Sequence, residues 1–216
     1  MGRNPIGLVG RAIILTVGTL LPIMNPFSTI PLFLSLTAGM GPMRRNREAR
    51  MACVYALALL VGFLLLGEAI IDFFGISVPG IRVAGGVIIT AIGARMLFSN
   101  PAATKTESEK GDIAFTPLAM PSLAGPGSLS VVITATSQIN ARNPEGYQLV
   151  YLGVLIGMVI VVAIAFVLLR GAGFLARFLG PSGLDAMTRI FGFLLVAIGM
   201  QFLLTGISDF YGIARP

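Results

Sequence analysis

Histidine, cysteine and charged residues are absent or scarce in this chain. Its 216 residues include no histidine and one cysteine, and 11% are charged, whereas soluble domains carry about 25%. The lack of histidine excludes haem ligation by histidine, histidine-based zinc sites and Ser-His-Asp catalysis. With Cys53 alone, no disulfide, Cys-x-x-Cys redox pair or thiolate metal cluster can form within one chain. No Gly-x4-Gly-Lys-Ser/Thr loop occurs, which excludes an ATP-driven pump.

Long uncharged apolar stretches are what the sequence has instead. It is 56% hydrophobic with a mean hydropathy of +0.91. Each stretch approaches or exceeds the roughly 20 residues of a spanning helix. A short sixth stretch, 83–94, becomes a span if Arg82 and Arg95 snorkel to the interfaces. The pattern predicts an all-α integral membrane protein with six transmembrane helices and no room for a soluble catalytic domain. The five longer stretches are 12–43, 51–67, 113–141, 146–169 and 190–208.

The positive charges flank these stretches, which gives the net charge of +6 a topological meaning. With six spans, five of the basic residues lie on the side of the two termini and ten on the other side. The richer side is predicted to be cytoplasmic, so both termini face outward across the cytoplasmic (inner) membrane. Nucleic acid is not an expected partner. A cleaved signal peptide is not expected either, because the first apolar run continues through Pro26 and Pro31.

An internal repeat divides the chain into two halves. Pro-x3-Pro-x4-Pro occurs at Pro22, Pro26 and Pro31 and again at Pro117, Pro121 and Pro126. Gly-x4-Ala-Ile-Gly-x3-Leu occurs at 86–97 and 192–203. Three spans in each half force the halves to enter the membrane in opposite directions, which makes an inverted repeat. The predicted organisation is a single membrane domain, 1–216, with repeats over about 1–99 and 113–216 and a polar linker over about 100–112.

The first and fourth stretches are predicted to be discontinuous helices 1 and 4, broken at Asn25–Pro31 and Met120–Ser128. Each proline removes a backbone donor, and unpaired carbonyls at membrane depth are tolerated where they line a polar cavity or pack in protein. One break alone favours a simple kink, but two matching breaks favour a binding site. The candidate substrate-binding residues are Asn25, Pro26, Phe27, Ser28, Thr29, Pro31, Pro121, Ser122, Ala124, Gly125, Pro126, Gly127 and Ser128.

The chemistry of these breaks suits a small zwitterion. The half-helices that resume after Pro31 and after Pro126 are expected to present free N–H groups and a positive dipole end to a carboxylate. Freed carbonyls, with the side chains of Asn25, Ser28 and Thr29, suit an ammonium. Gly125 and Gly127 allow close approach of a ligand to the backbone.

At these residues the chain resembles the MarC family of bacterial and archaeal inner-membrane proteins, which includes the SnatA small neutral amino acid transporters. The resemblance implies a six-span exporter of glycine, alanine or similar amino acids, with broken helices 1 and 4 around the substrate. Variation among family members at Phe27 and Ser28 leaves the substrate open. The resembling stretches cover nearly the whole chain and are Asn25-Pro26-Phe27-Ser28-Thr29-Ile30-Pro31, Phe74-Gly75-Ile76, Arg82-Val83-Ala84-Gly85-Gly86, Pro117-Leu118-Ala119-Met120-Pro121, Leu123-Ala124-Gly125-Pro126-Gly127-Ser128 and Thr188-Arg189-Ile190-Phe191-Gly192.

Three classes of function remain open from the sequence. The first is a secondary transporter that exports small neutral amino acids by alternating access. The second is a passive small-solute channel, which the same polar breaks would line. The third is an intramembrane enzyme, which we do not expect because the acidic pair Glu68 and Asp72 lies away from the breaks. No cofactor or metal is expected. The sequence leaves open whether a proton or a sodium ion is coupled to transport and whether the protein forms a homo-oligomer. Besides the substrate, membrane lipid is the expected partner.

Overall fold

The computed structural model describes residues 5–98, 113–142 and 147–213, and the described part contains helices and turns but no strand. This agrees with the predicted all-α class. Residues 143–146 and the predicted linker over about 100–112 lie outside the described residues. The elements, in chain order, are α1 (Pro5–Met24), α2 (Pro26–Leu36), α3 (Pro42–Phe74), α4 (Val78–Phe98), a π-helix (Ala114–Leu123), α5 (Pro126–Arg142), α6 (Tyr147–Arg170) and α7 (Ala172–Phe210).

Five of the described helices are long and apolar enough to cross a membrane: α1, α3, α4, α6 and α7. The first predicted span, 12–43, is divided between α1 and the 11-residue α2. The fourth, 113–141, is divided between the 10-residue π-helix and the 17-residue α5, so neither piece alone reaches the length of a span. The short stretch 83–94 lies within the 21-residue α4, as predicted.

Two of the segments between the apolar stretches, which the charge count predicts to be cytoplasmic, are helical. Arg44, Arg45, Arg47 and Arg50 lie in the first turns of α3, and residues 170–189 are largely the first part of α7. Arginine is a good helix former, and Pro42 occupies the first turn of α3, where its missing N–H is not needed. Charged residues indicate where an apolar stretch ends, but they do not end the helix, which continues through them in α3 and α7.

Two glycines with positive φ lie at equivalent places of the two halves. Gly75 follows α3 with φ 61°, and Gly180 divides α7 with φ 65° and ψ 177°. They occupy the same position in Phe-Phe-Gly-Ile-Ser at 73–77 and Phe-Leu-Gly-Pro-Ser at 178–182. A positive φ is strained for residues with a side chain. The two halves therefore share a backbone conformation at the place where their sequence motifs match.

The third and sixth predicted spans pack directly against each other. Gly86 of α4 approaches Gly199 of α7, and Gly93 approaches Gly192. The order of contacts is reversed along the two helices, so α4 and the second part of α7 are antiparallel. Gly86 and Gly93 are the repeat equivalents of Gly192 and Gly199. Each helix thus offers the same pair of glycines to the other, which is the contact pattern that a two-fold relation generates.

Arginines lie at both ends of this helix pair. Arg82, in the first turns of α4, is 4% exposed and forms an ion pair with Asp209 near the end of α7. Arg189 donates a hydrogen bond of 3.2 Å to the carbonyl oxygen of Leu97, close to the end of α4. A cation at the last carbonyls of a helix is favourable.

The first and fifth predicted spans pack in parallel. A Cβ atom on Gly153 of α6 would lie 2.6 Å from Cβ of Ala12, and one on Gly157 would lie 2.7 Å from Cβ of Thr16. Both contacts advance four residues along each helix, which sets the common direction. The small residues let α1 and α6 approach at backbone distance, as is typical of membrane helices.

Candidate functional site

The first break lies at Asn25, between α1 and α2. Asn25 has φ 35° and ψ 68°, the one positive φ among the described residues other than glycine, and it is 3% exposed. Asparagine tolerates the left-handed conformation because its side chain bonds to nearby backbone. Here its Oδ1 accepts the N–H of Ser28 at 3.3 Å and caps α2. Discontinuity was predicted in this region, and the residue responsible is the asparagine.

The resumed helix of the first half begins one proline earlier than predicted. Pro26 is the first residue of α2, whereas Pro31 lies inside that helix and is exposed. The expectation that free N–H groups follow Pro31 is therefore wrong. Proline is favoured at the first helical position because it lacks the N–H that would be unpaired there. The backbone consequently breaks before Pro26.

Polar side chains after the first break bond to the break itself. The hydroxyls of Ser28 and Thr29 donate to the carbonyl oxygen of Asn25 at 3.0 and 3.4 Å. A hydroxyl that donates a hydrogen bond can also accept one. The side-chain amide of Asn25 donates to the sulfur of Met96 on α4 at 3.5 Å. A thioether is a weak acceptor. A ligand with a stronger acceptor could therefore replace Met96 as the hydrogen-bond partner of this amide N–H.

The second break separates the π-helix from α5. The N–H of Ala124 donates to the carbonyl of Ala119 at 2.7 Å, the last bond of the π type. Regular helix resumes at the exposed Pro126, as predicted, while the hydroxyl of Ser128, which is 1% exposed, donates to the carbonyl of Leu123 at 3.4 Å. Ala124, Gly125 and Gly127 are buried. The side chains of the candidates Pro121 and Ser122 lie outside the described part of the structure.

Both breaks lie beside α4 and near each other. A Cβ atom on Gly127 would lie 2.9 Å from Ile89 of α4 and 3.4 Å from the side chain of Ile23, two residues before Asn25. Asn25 contacts Met96, two turns further along α4. The structure therefore brings together Asn25, Ser28, Thr29 and the 124–128 segment, but it leaves Pro31 and Pro126 at exposed positions.

Phe27 links the first break to α7. Its ring stacks on that of Phe191, with centroids 5.0 Å apart and planes 23° from parallel. Phe191 directly precedes Gly192, a member of the close contact between α4 and α7. Aromatic pairs in this geometry contribute beyond the area that they bury. A movement of α7 relative to α4 would therefore disturb the contact of α7 with α2.

A partly open cavity of about 360 Å³ begins more than one helical turn from each break. It lies among α1, α5, α6 and the second part of α7, and none of the described residues that line it is charged. Leu20 lines it five residues before Asn25, and Val131 lines it three residues after Ser128. Its polar groups are threonine hydroxyls. Thr134 is 2% exposed, and its hydroxyl is buried without a hydrogen-bond partner.

Sequence reasoning missed several residues at this site. Ile89 lies in the third predicted span and Met96 lies just beyond it, in α4. Neither offered a signal, since an apolar residue in a membrane helix does not reveal which neighbour it contacts. Thr16, Thr19 and Thr134 did offer one: they are polar residues within apolar runs. Their convergence on one cavity depends on how α1 and α5 pack, which the repeat pattern does not specify.

Comparison with known proteins identifies relatives over almost the whole length. The model of the family described as MarC family integral membrane protein matches residues 10–211. The UPF0056 inner membrane protein MarC of Escherichia coli (strain K12) is 38% identical over 210 residues, which cover 92% of this chain and 95% of that relative. The same values hold for the protein of that name from Shigella flexneri. No solved structure matches the chain.

Proposed function

The chain belongs to the MarC family of integral membrane proteins of the inner membrane, and we propose that it is a secondary transporter that exports small neutral amino acids such as glycine and alanine. The observation that carries the proposal is the buried break at Asn25, whose amide N–H donates to a thioether sulfur alone among the described contacts. A buried polar group at membrane depth is a functional feature by default. A transporter, and not an enzyme, is the function that we propose for it.

The two charged ends of an amino acid match two kinds of group at the first break. The amide N–H that now contacts Met96 suits the carboxylate, because a carboxylate accepts far more strongly than a thioether. The hydroxyl oxygen of Ser28, which can accept as well as donate, suits the ammonium. The nearby start of α5, with the buried Gly125 and Gly127, supplies a positive helix end and room for close approach.

The proposed architecture has six spans arranged as two inverted three-helix repeats. It counts α1 with α2 as the first span and the π-helix with α5 as the fourth. Helix directions support it: α1 is parallel to α6, while α4 is antiparallel to the second part of α7. Alternating spans require both relations. The charge asymmetry of the sequence then orients the protein with both termini outside.

Alternating access would use the seam between α4 and α7. Glycines there bring the backbones of the two helices together, with side chains such as Leu203 and Met96 packed against the glycines. The stacking of Phe27 on Phe191 connects the seam to the first break. Rocking of one repeat against the other about a fixed site is the usual mechanism of inverted-repeat transporters. The coupling ion, a proton or sodium, and any homo-oligomer are left open.

Counterflow of labelled glycine into liposomes loaded with unlabelled glycine tests the proposal. The wild-type protein should give a saturable transient accumulation, which a passive channel does not produce. Asn25→Ala and Gly125→Leu should abolish it. Pro31→Ala is the matched control, because Pro31 belongs to the same repeat motif but is exposed inside α2, and it should retain counterflow. Absence of counterflow for glycine and alanine with folded wild-type protein would refute the substrate assignment.

A further inference from the structure

A basic surface joins the start of α3 to the junction of α6 and α7. Arg45 makes the contact between them, because a Cβ atom on Gly173 would lie 3.7 Å from its Nη1 and 3.8 Å from its Nη2. The two places therefore lie at the same end of the helix bundle, which the charge count predicts to be cytoplasmic. This arginine surface consists of the half-buried Arg45 and the exposed Arg44, Arg47, Arg50, Arg170 and Arg177.

Arg45 carries a charge that the described residues leave uncompensated. Its Cζ lies 5.5 Å from the centroid of the Phe33 ring on α2, so α2, α3 and α7 meet at this guanidinium. Nη2 is buried and has no hydrogen-bond partner in the described part of the chain. Glu48 lies one turn further along α3, but it forms no ion pair with Arg45. A buried donor on a cation is unfavourable without an acceptor, which favours an anion beside Arg45.

The depth of Arg45 matches that of lipid phosphates. Gly173 lies four residues beyond the uncharged stretch 146–169, which is about 6 Å along a helix and reaches the head-group region. Arg177 follows Gly173 by one helical turn and so shares its face of α7. Arginine binds phosphate in bidentate fashion, and basic pockets between transmembrane helices on the cytoplasmic side bind phospholipid head groups.

Two exposed aromatic rings beside the arginines distinguish a lipid from a free anion. Phe174 and Phe178 are 75% and 78% exposed and stack with centroids 6.2 Å apart. They lie in the first part of α7, which ends at the kink of Gly180. One short segment thus carries apolar rings next to Arg177, a composition that is typical of helices at the membrane interface. An acyl chain would contact these rings, whereas inorganic phosphate has no use for them.

We propose that the arginine surface binds the phosphate of an anionic phospholipid, with Arg45 as the central ligand and with Phe174 and Phe178 as contacts for an acyl chain. The bound lipid compensates the guanidinium where α2, α3 and α7 meet, so it stabilises the folded protein. The site is independent of the transport assignment, because none of its residues belongs to either break.

Thermal unfolding in mixed micelles tests the site. Dioleoyl phosphatidylglycerol should raise the melting temperature of wild-type protein by at least about 4 °C above its value in an equal mole fraction of dioleoyl phosphatidylcholine. Arg45→Gln should lose at least half of this rise. In phosphatidylcholine it should melt within about 1 °C of wild type, because it also removes an unpaired cation.

Arg11→Gln is the matched control, since it removes the same charge elsewhere. Arg11 precedes Ala12, which contacts Gly153 of α6, and Gly153 is about 25 Å along α6 from Arg170. This variant should keep the full rise. An equal rise in wild type and Arg45→Gln overturns the proposal. A loss of stability that is the same in both lipids also overturns it, because Arg45 would then act only by packing on Phe33.

Direct binding of labelled dioleoyl phosphatidylglycerol to detergent-purified protein identifies the ligand. Arg177→Gln changes an exposed residue, so it leaves the core intact, and it should weaken binding at least about threefold. Inorganic phosphate in large molar excess should not displace the lipid. Displacement would identify a site for free phosphate and overturn the assignment to a lipid, as would equal affinity for phosphatidylcholine.

The acyl-chain contact has its own test in the same binding assay. The double variant Phe174→Ser with Phe178→Ser should weaken phosphatidylglycerol at least about threefold. Phe193→Ser is the control, because Phe193 is 64% exposed but lies in the second part of α7, beyond the kink, and it should bind as wild type does. Unchanged affinity in the double variant contradicts the role of the two rings.

Discussion

Gly86 of α4 and Gly199 of α7 meet backbone to backbone. A Cβ atom on Gly86 would lie 2.7 Å from the carbonyl oxygen of Gly199, and one on Gly199 would lie 2.8 Å from the carbonyl oxygen of Gly86. Such a distance permits weak Cα–H···O contacts and leaves no room for a methyl group. The reciprocity makes this seam the clearest trace of the internal repeat in three dimensions.

Adding a methyl group to this seam should destabilise the protein. We expect Gly86→Ala to lower the free energy of unfolding by about 1–3 kcal/mol through overpacking. Thermal unfolding in detergent measures it. Gly18→Ala is the control, because a Cβ there meets nothing within 4 Å. Equal melting temperatures for the two variants would contradict the close contact.

Asn25 combines a backbone role with a side-chain role, and two substitutions separate them. Asn25→Gly keeps the left-handed conformation and loses the amide, whereas Asn25→Ala loses both. We expect Asn25→Ala to be less stable than Asn25→Gly, with the loss of the cap costing about 1 kcal/mol. Both should abolish counterflow. If Asn25→Gly transports normally, the amide does not bind substrate.

The ion pair of Arg82 with Asp209 should contribute measurably to stability. Arg82 is buried, but 34% of the Asp209 side chain is exposed, so solvent screens the pair in part. A double-mutant cycle with Arg82→Gln and Asp209→Asn should give a coupling of about 1 kcal/mol. The exposed pair Arg189 with Asp185, four residues apart on one helix, should give about 0.3–0.5 kcal/mol. A larger coupling at the exposed pair would refute this ranking.

Stacking of Phe27 on Phe191 should couple the first break to α7. Phe27→Leu and Phe191→Leu should each lower stability, with a coupling of about 0.5–1.5 kcal/mol in the double mutant. Chemical denaturation in mixed micelles gives the four free energies of the cycle. Additive losses would mean that the rings contact without favourable interaction. The stacked pair Phe174 and Phe178, both exposed, offers a comparison.

The proposed orientation can be tested by thiol labelling. Cys53, which is buried in α3, is first replaced by alanine, so that each new cysteine is the sole thiol in its variant. Ala38→Cys, between α2 and α3, should react with a membrane-impermeant thiol reagent only from the cytoplasmic face. Ile76→Cys, between α3 and α4, should react only from the outer face; both positions are exposed. The reverse pattern would invert the topology.

The sequence by itself determined that this is a helical membrane protein and located its interruptions. Apolar runs, prolines and glycines act locally, because each apolar residue partitions into lipid and each proline removes a donor wherever it stands. The equivalent places of Gly75 and Gly180 in the two halves are also visible in the sequence, whereas their positive φ is shown only by the structure. The sequence did not show which proline begins α2, because the helix could be broken either at Asn25 or at Pro31. Packing selects the break at Asn25.

Only the tertiary structure decided which helices meet. The facing of Gly86 with Gly199, the contact of Asn25 with Met96 and the convergence of Thr16 and Thr134 on one cavity join residues far apart in the chain. In lipid, any apolar surface is equally well solvated by its surroundings, so hydropathy carries no information about helix partners. Shape and hydrogen bonding make that choice, and both exist only once the helices are assembled.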